Sequence, residues 1–314
     1  MIKDKIEEKI RNRLTYLVRR VPQGNISEYI YAYVYVMTTP LMPFLKENDQ
    51  LNYDFDFNDD HLRDSPENSI ETNKVNLEKK AWSEEFDHGE SWSEVWGSSQ
   101  AQWQGSIFPR ISKWLPSSSI LEIAPGHGRW STFLIDNATS YIGVDFSPEC
   151  IEYCKERFSE NKGTYFYAND GRTLSMVKDN SCDFVFSFDS LTHLEFDVME
   201  SYMKEIIRIL SDNGVAFIHH SNAGEFLDLY PDLVPGWRAR SVTAEKIKNC
   251  IESNGGVPLR QECINWKTKE CIDCLTLFTK NPDSEKEFTS VQNDLFMAEA
   301  MIIKTIINPY LTET

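Results

Sequence analysis

The stretch Ser119-Ile120-Leu121-Glu122-Ile123-Ala124-Pro125-Gly126-His127-Gly128-Arg129-Trp130 constrains the chain most. A short apolar run, Ile120 to Ala124, leads into a Pro-Gly-His-Gly turn and then a helix start. Glycine carries no Cβ, so Gly126 and Gly128 let the backbone bend sharply and approach a bound molecule closely. The following helix would turn its free N–H groups toward that molecule. Many nucleotide-binding proteins share such a turn, so the rest of the chain must say which ligand it serves.

From residue 116 onward, apolar runs alternate with helical patterns, as in a parallel sheet covered by helices. The expected strands are Ile120–Ala124, Tyr141–Val144, Tyr165–Tyr167, Phe184–Phe188 and Val215–His219. Helices are expected over Arg129–Asn137, from Ser147-Pro148-Glu149 to Phe158, over Asp197–Leu210 and over Thr243–Ser253. Ser147 suits an N-cap and Pro148 a first helical turn. Two further runs, 259–266 and 271–279, suit a terminal antiparallel pair. The fold class is α/β: a doubly wound, mostly parallel seven-stranded sheet with a helical N-terminal cap and a C-terminal helix.

The chain divides by composition. In 1–45, Ile2, Ile6, Ile10, Leu14, Leu17 and Val21 recur at helical spacing; residues 29–36 alternate so evenly that helix and strand both fit, and helix is preferred because Pro40 and Pro43 would end it. Residues 46–80 are acidic and aperiodic, an expected linker or surface loop. Residues 81–115 bring Trp82, Phe86, His88, Trp92, Trp96, Trp103, Phe108 and Trp114, an aromatic cap over the mouth of the sheet. The main domain is read as 116–282 with a lid loop at 221–240. In the tail, 283–314, Phe288, Val291, Leu295, Ile302 and Ile306 mark one face of a helix.

A net charge of −17 argues against nucleic acid and anionic membranes as partners and favours a small molecule. The most apolar stretch, Ile26 to Leu45, is interrupted by Glu28, Thr38, Thr39, Pro40 and Pro43 and makes a poor membrane span. The charged start shows no signal peptide, and seven cysteines without framework spacing suit a reducing compartment, so a cytoplasmic location is expected. Cys271 and Cys274 read as buried thiols, and no metal site is assigned. The terminal helices offer a surface for self-association.

In an open α/β sheet, ligands bind beyond the carboxyl ends of the strands. Strand two ends at Asp145, 23 positions after Glu122, where a carboxylate can take both hydroxyls of a ribose. Strand three ends at Asp170, suited to an adenine amino group. An adenosine ligand follows. Leu121-Glu122-Ile123-Ala124-Pro125-Gly126-His127-Gly128 resembles the first motif of class I S-adenosylmethionine-dependent methyltransferases. Gly143-Val144-Asp145-Phe146-Ser147 resembles the second, Asn169-Asp170-Gly171 the third, and the run from Asp183 to His193 the fourth. Arg208 to Val215 looks like the helix-turn-strand that follows, so the resemblance covers roughly 116–280.

The resemblance implies S-adenosylmethionine as cofactor. It implies Glu122 near the methionine amino group, Gly126 and Gly128 making room for the methionine, and Asp145 on the ribose. Phe146 would flank the adenine, Asn169, Asp170 and Gly171 would form its edge, and Phe188 and Asp189 would border the sulfonium. Ala124 stands where the family often has its first glycine, a change that costs little if its φ is negative.

For the acceptor, His193, His219 and His220 lie where strands open into the site, and a histidine suits removal of a hydroxyl proton. Adjacent strand residues face opposite sides, so at most one of the 219–220 pair points at substrate. Ser221, Asn222, Trp237, Arg238 and Arg240 in the lid, with Trp92 and Trp96 in the cap, are the expected acceptor contacts. The reading is methyl transfer to a hydroxyl of a small molecule, a sugar unit or secondary metabolite. N-methylation, a nicotinamide-dependent oxidoreductase and an inactive methyltransferase-like binding subunit are the rivals. The oxidoreductase would require a glycine where Ser131 stands.

Overall fold

The computed structural model describes residues 84–227, 238–281 and 287–312. The expected helices at 2–21 and 29–36, the acidic stretch at 46–80, Trp82 and Trp237 lie outside the described residues. Among the described residues, eight strands form one sheet: β1 (Ser117–Ile123), β2 (Ala138–Asp145), β3 (Thr164–Ala168), β4 (Cys182–Ser187), β5 (Leu210–Ser221), β6 (Val257–Ile264), β7 (Asp273–Thr279) and β8 (Thr289–Asn293). Their order is β3-β2-β1-β4-β5-β7-β6-β8. Strand β7 runs antiparallel to β5 and β6, and every other pair is parallel. Chain order reverses between β1 and β4, which opens the ligand crevice of a doubly wound sheet there.

Alternation along the strands sorts the core into two layers. Ile120, Phe184, Phe186 and Phe217 pack on one face with Trp103, Trp130, Leu134 and Phe296. Leu121, Ile123, Val185, Ala216 and Ile218 pack on the other. That second face is covered by Phe196–Ile209, which buries Val198, Met199, Tyr202, Met203, Ile206 and Ile209, and by Ala244–Ser253. The Ser147 hydroxyl accepts from the Cys150 amide at 3.3 Å to cap the Pro148–Arg157 helix, as its position suggested. Thr243 caps Ala244–Ser253 in the same way, accepting from Lys246 at 3.1 Å.

The tail departs from its expected form. Strand β8 adds to the sheet beside β6, making eight strands where seven were expected. A helix follows only from Phe296, running Phe296–Ile302 and on through a π-helical turn at Ile303–Ile307. The buried face is Phe296, Ala300, Ile303 and Ile307, while Val291 is exposed. The alternation of Thr289–Asn293 is too polar to announce a strand, and the true helical stripe is shifted from the expected one.

The described part of the cap, a 3-10 run at Glu84–Trp96 and helical turns at Ser99–Gln102 and Phe108–Ile111, packs against this tail. A Cβ on Gly97 would meet Asn308 at 2.6 Å, and one on Gly105 would meet Ile303 at 2.8 Å. Arg110 fastens the junction. Its guanidinium donates to both carboxylate oxygens of Glu262 in β6 (3.0 and 2.8 Å) and of Glu299 in the tail (2.9 and 2.9 Å). Burial opposes ionisation of Glu262, yet Arg110 pulls its carboxyl down to about 2. Replacing Arg110 strands two largely buried carboxylates, so Arg110→Leu should cost on the order of 3 kcal/mol in urea unfolding at pH 7. A depressed folded-state pKa stabilises above the unfolded value and loses its effect as pH falls. The difference between wild type and variant should therefore shrink from pH 4.5 toward pH 2.

Candidate active site

The turn after β1 is built on left-handed backbone. Ala124, Gly126 and Gly128 have φ of 58°, 56° and 82°. The Asp145 carboxylate at the end of β2 holds this turn. Its Oδ2 accepts from the Gly126 amide at 3.0 Å and its Oδ1 from the Ser147 amide at 2.9 Å. Burial pushes the Asp145 carboxyl up to about 6 despite these amides. The positive φ at Ala124 overturns the expectation of a cheap substitution, because the left-handed region crowds a Cβ. Gly128 also has a different reason from the expected one. A Cβ there would meet the Phe158 ring at 2.5 Å, so its missing side chain lets the turn pack on the Pro148–Arg157 helix.

Glu122 is buried, and its Oε2 accepts from the hydroxyls of Tyr141 and Ser131, the latter at 2.7 Å. Burial raises its carboxyl to about 7. At the end of β3, Asn169 accepts from the Gly171 amide at 3.0 Å and donates to the Thr173 carbonyl at 2.8 Å. Asp170 is exposed, and its Oδ1 accepts from the amides of Arg172 and Thr173 at 2.9 and 2.7 Å. Slight desolvation works against it, but those amides hold its carboxyl below the ordinary range. Phe146 is half-buried beside Asp145. These residues fit an adenosyl cofactor: a backbone cradle open to close approach, with carboxylates at the ends of the two adjacent strands.

Beyond β4 the polar residues form one connected row. The Asp189 carboxylate (φ 65°) pairs with the Arg129 guanidinium at 3.0 Å, and the Asp189 amide donates to His219 Nδ1 at 3.2 Å. His219 Nε2 lies 3.1 Å from Asp273 Oδ2, which also pairs with Arg238 at 2.6 Å. Arg238 donates in addition to the Thr192 hydroxyl at 2.5 Å. Burial pushes against ionisation of Asp189, but Arg129, with His219 and Arg238 nearby, holds its carboxyl below the ordinary range. Arg129 also donates to Ser93 of the cap at 3.1 Å and lies over the Trp92 and Trp130 rings.

Several expected acceptor contacts turn out to hold the fold instead. His220 is fully buried on the opposite face from His219. Its Nδ1–H donates to the Ser221 carbonyl at 2.8 Å, its Nε2 accepts from Thr276 at 2.7 Å, and burial drives it down to about 4. A base needs an open lone pair, and neither ring of the pair offers one, since His219 is fully buried with both nitrogens engaged. Ser221 accepts from the Ala223 amide and donates to the Ala239 carbonyl, and Asn222 bonds Cys271 and Ala244, so both fix the loop between β5 and the helix at 244–253. Arg238 is buried against Asp273 rather than offered to a substrate. Trp96 is core, packed on Trp266 at 5.1 Å and Phe296 at 5.9 Å. Phe188 is buried beside His219, Trp130 and Trp266. His193 is half-buried in the turn after β4, Arg240 is exposed, and Trp92 is half-buried under Arg129.

Sequence reasoning passed over Arg129, Asp273 and Trp266. Asp273 carried a signal: a carboxylate inside an otherwise apolar strand needs a charged partner. It also passed over His127, which stacks on Tyr153 at 4.1 Å between ring centroids and meets His88 of the cap through Nδ1 atoms 2.8 Å apart.

Residues 120–214 match the model of a methyltransferase-domain family. The "Putative methyltransferase YqeM" of Bacillus subtilis (strain 168) is 25% identical over 132 residues, which are 40% of this chain and 53% of that protein. The chain thus spans about half the length of this curated relative. The crystal structure of the PH0226 protein from Pyrococcus horikoshii OT3 superposes with a TM-score of 0.49 at 19% identity, covering 63% of this chain and 98% of that one. An S-adenosylmethionine-dependent methyltransferase from Clostridium acetobutylicum gives 0.47 at 14% identity, over 60% and 92% of the two chains. Residues 120–214 are thus a methyltransferase-domain match, for which S-adenosylmethionine is the supported cofactor. No helix among the described residues is long and apolar enough to cross a membrane.

The strain at Ala124 has a direct test. Glycine tolerates the left-handed region that alanine resists, and it gives back only part of the gain through a more flexible unfolded chain. Ala124→Gly should raise unfolding free energy by about 1 kcal/mol, read as a higher urea midpoint with an unchanged slope.

Proposed function

We propose that the protein transfers the methyl group of S-adenosylmethionine to a hydroxyl of a small molecule. The observation that carries this reading is the Asp145 carboxylate tying the Gly126 turn at the β1–β4 crevice, with Asp170 exposed at the next strand end. Gly126 and its neighbours would cradle the methionine, Glu122 would lie near its amino group, Asp145 would serve the ribose, and Phe146, Asn169, Asp170 and Gly171 the adenine. Phe188 and Asp189 would lie toward the reacting end. The cofactor supplies a methyl group on a positively charged sulfur, transferred by in-line displacement. The chain's share is to align the acceptor, exclude water and take up a proton.

For the proton, His193 is the remaining candidate among the three histidines, because it alone of them is not fully buried. It stands in the turn after β4, beside Thr192, which the Arg238 guanidinium holds in place. The net charge of −17 supports a small acceptor over nucleic acid.

Calorimetry with S-adenosylmethionine and with NAD tests the cofactor. Binding of the former alone is expected, and binding of NAD alone would overturn the reading. Asp170→Asn keeps an oxygen for the local turn but removes the charge, so S-adenosylmethionine should bind about tenfold more weakly at unchanged melting temperature. With methyl-labelled cofactor and a panel of hydroxylated small molecules, label should appear as an ether. On the acceptor that responds, His193→Ala should slow transfer about 10²–10⁴-fold while cofactor affinity stays within about twofold. Unchanged transfer would remove His193 from the mechanism.

A further inference from the structure

Just before the turn that follows β1, three buried oxygens meet: Glu122 Oε2, the Tyr141 hydroxyl and Ser131 Oγ. Ser131 Oγ lies 2.7 Å from Glu122 and 2.9 Å from Tyr141, and the Tyr141 hydroxyl also bonds Glu122. Three contacts therefore close a ring, yet the two hydroxyls bring only two protons. Tyr141 keeps its own, since burial and then the neighbouring carboxyl push its ionisation well above the ordinary range. With Glu122 ionised, one of the three contacts must set lone pair against lone pair. A third proton, on the carboxyl, lets each oxygen donate to the next and fills every contact. The ring calls for a neutral Glu122.

The surroundings agree with it. Burial raises the carboxyl to about 7 against the pull of the two hydroxyls, Asp145 adds to the rise, and Arg129 opposes it. Arg129 is already paired with Asp189 at 3.0 Å. Gly143 of β2 and Phe186 of β4, the residues in register with Glu122, carry no charge. Cys154 of the Pro148–Arg157 helix stays a neutral thiol, because burial pushes its ionisation well up. The carboxyl is thus open to the charge of whatever enters the crevice next.

The S-adenosylmethionine that the proposed function seats on this turn carries a sulfonium and an ammonium against one carboxylate. A cation brought to a buried carboxyl favours its ionised form. We propose that Glu122 is protonated in the free protein and gives that proton to solvent when S-adenosylmethionine binds. One O–H bond breaks, a carboxylate remains, and the buffer takes the proton. Once transfer has left a neutral thioether, the carboxylate has lost part of its countercharge and takes a proton back. Glu122 thereby holds the charged donor and loosens on the spent one. The ligand's identity rests on the methyl-transfer reading, whereas the proton rests on the ring of oxygens.

Glu122→Gln is a neutral isostere that can donate and accept within the ring but cannot ionise. A folded-state pKa raised above the unfolded value stabilises most at low pH, and the effect fades as pH rises. Without cofactor, wild type should therefore lose several degrees of melting temperature relative to the variant between pH 5 and pH 8. Calorimetry of S-adenosylmethionine at pH 6, in buffers of different ionisation enthalpy, counts protons. Wild type should release more than the variant by about half a proton or more. S-adenosylhomocysteine should release fewer than S-adenosylmethionine does. Infrared difference spectra of the wild type should lose a protonated-carboxyl band as S-adenosylmethionine binds, a readout that needs no variant.

A carboxyl that only holds the fold would make the variant melt lower by the same amount at every pH. Parallel melting profiles, equal proton counts or an unchanged infrared band would overturn the proposal. S-adenosylmethionine bound without proton release would sink the proposal and leave the methyl-transfer reading standing. No binding of S-adenosylmethionine by either protein would sink both.

Discussion

A guanidinium buried beneath an aromatic cap must be neutralised where it stands, and Arg129 imposes that condition on everything around it. Asp189 supplies the countercharge from a left-handed backbone position, and that same residue's amide fixes the His219 ring. His219 reaches Asp273, and Asp273 neutralises the buried Arg238. Each buried guanidinium thus meets one carboxylate, Arg129 with Asp189 and Arg238 with Asp273, and the His219 ring bridges the two pairs. Removing one member leaves its neighbour charged in a medium that solvates it poorly. The cap belongs to the same balance through Ser93 and the Trp92 ring.

The strands were legible in the chain because apolar runs of strand length, each closed by a polar residue, leave little choice between Ile120 and Thr279. The helix cap Ser147 was legible for a local reason: a hydroxyl before a helical stripe has one good use. The tail was not. Thr289–Asn293 owes its strand form to pairing with β6, which no local pattern encodes, and once those residues are extended the helical stripe begins anew at Phe296.

Histidines 219 and 220 show where reading a site from residue type runs out. Both stand at the end of a strand beside the crevice, which is what suggested a base. Their roles are set by long-range partners, Asp273 and Thr276 on β7, that pair with them only after the sheet is assembled. Because β7 runs against β5, its first residue lies alongside the last residue of β5, Ser221. A reversed strand therefore delivers its beginning to the end of the sheet where parallel strands deliver their ends. That is how Asp273, remote in sequence from every motif, comes to stand among them.

The added strand β8 gives the sheet two unlike borders. On its side the last strand presents Thr289, Ser290, Gln292 and Asn293, side chains that keep water close to an open ladder. The opposite border, β3, shows Tyr165 and Tyr167, 51% and 40% exposed and two residues apart on one face. Exposed backbone groups on a border strand invite another strand, and polar side chains discourage it. The tail thus works as a selvedge: it finishes β6 with a water-loving hem and leaves the aromatic margin to β3.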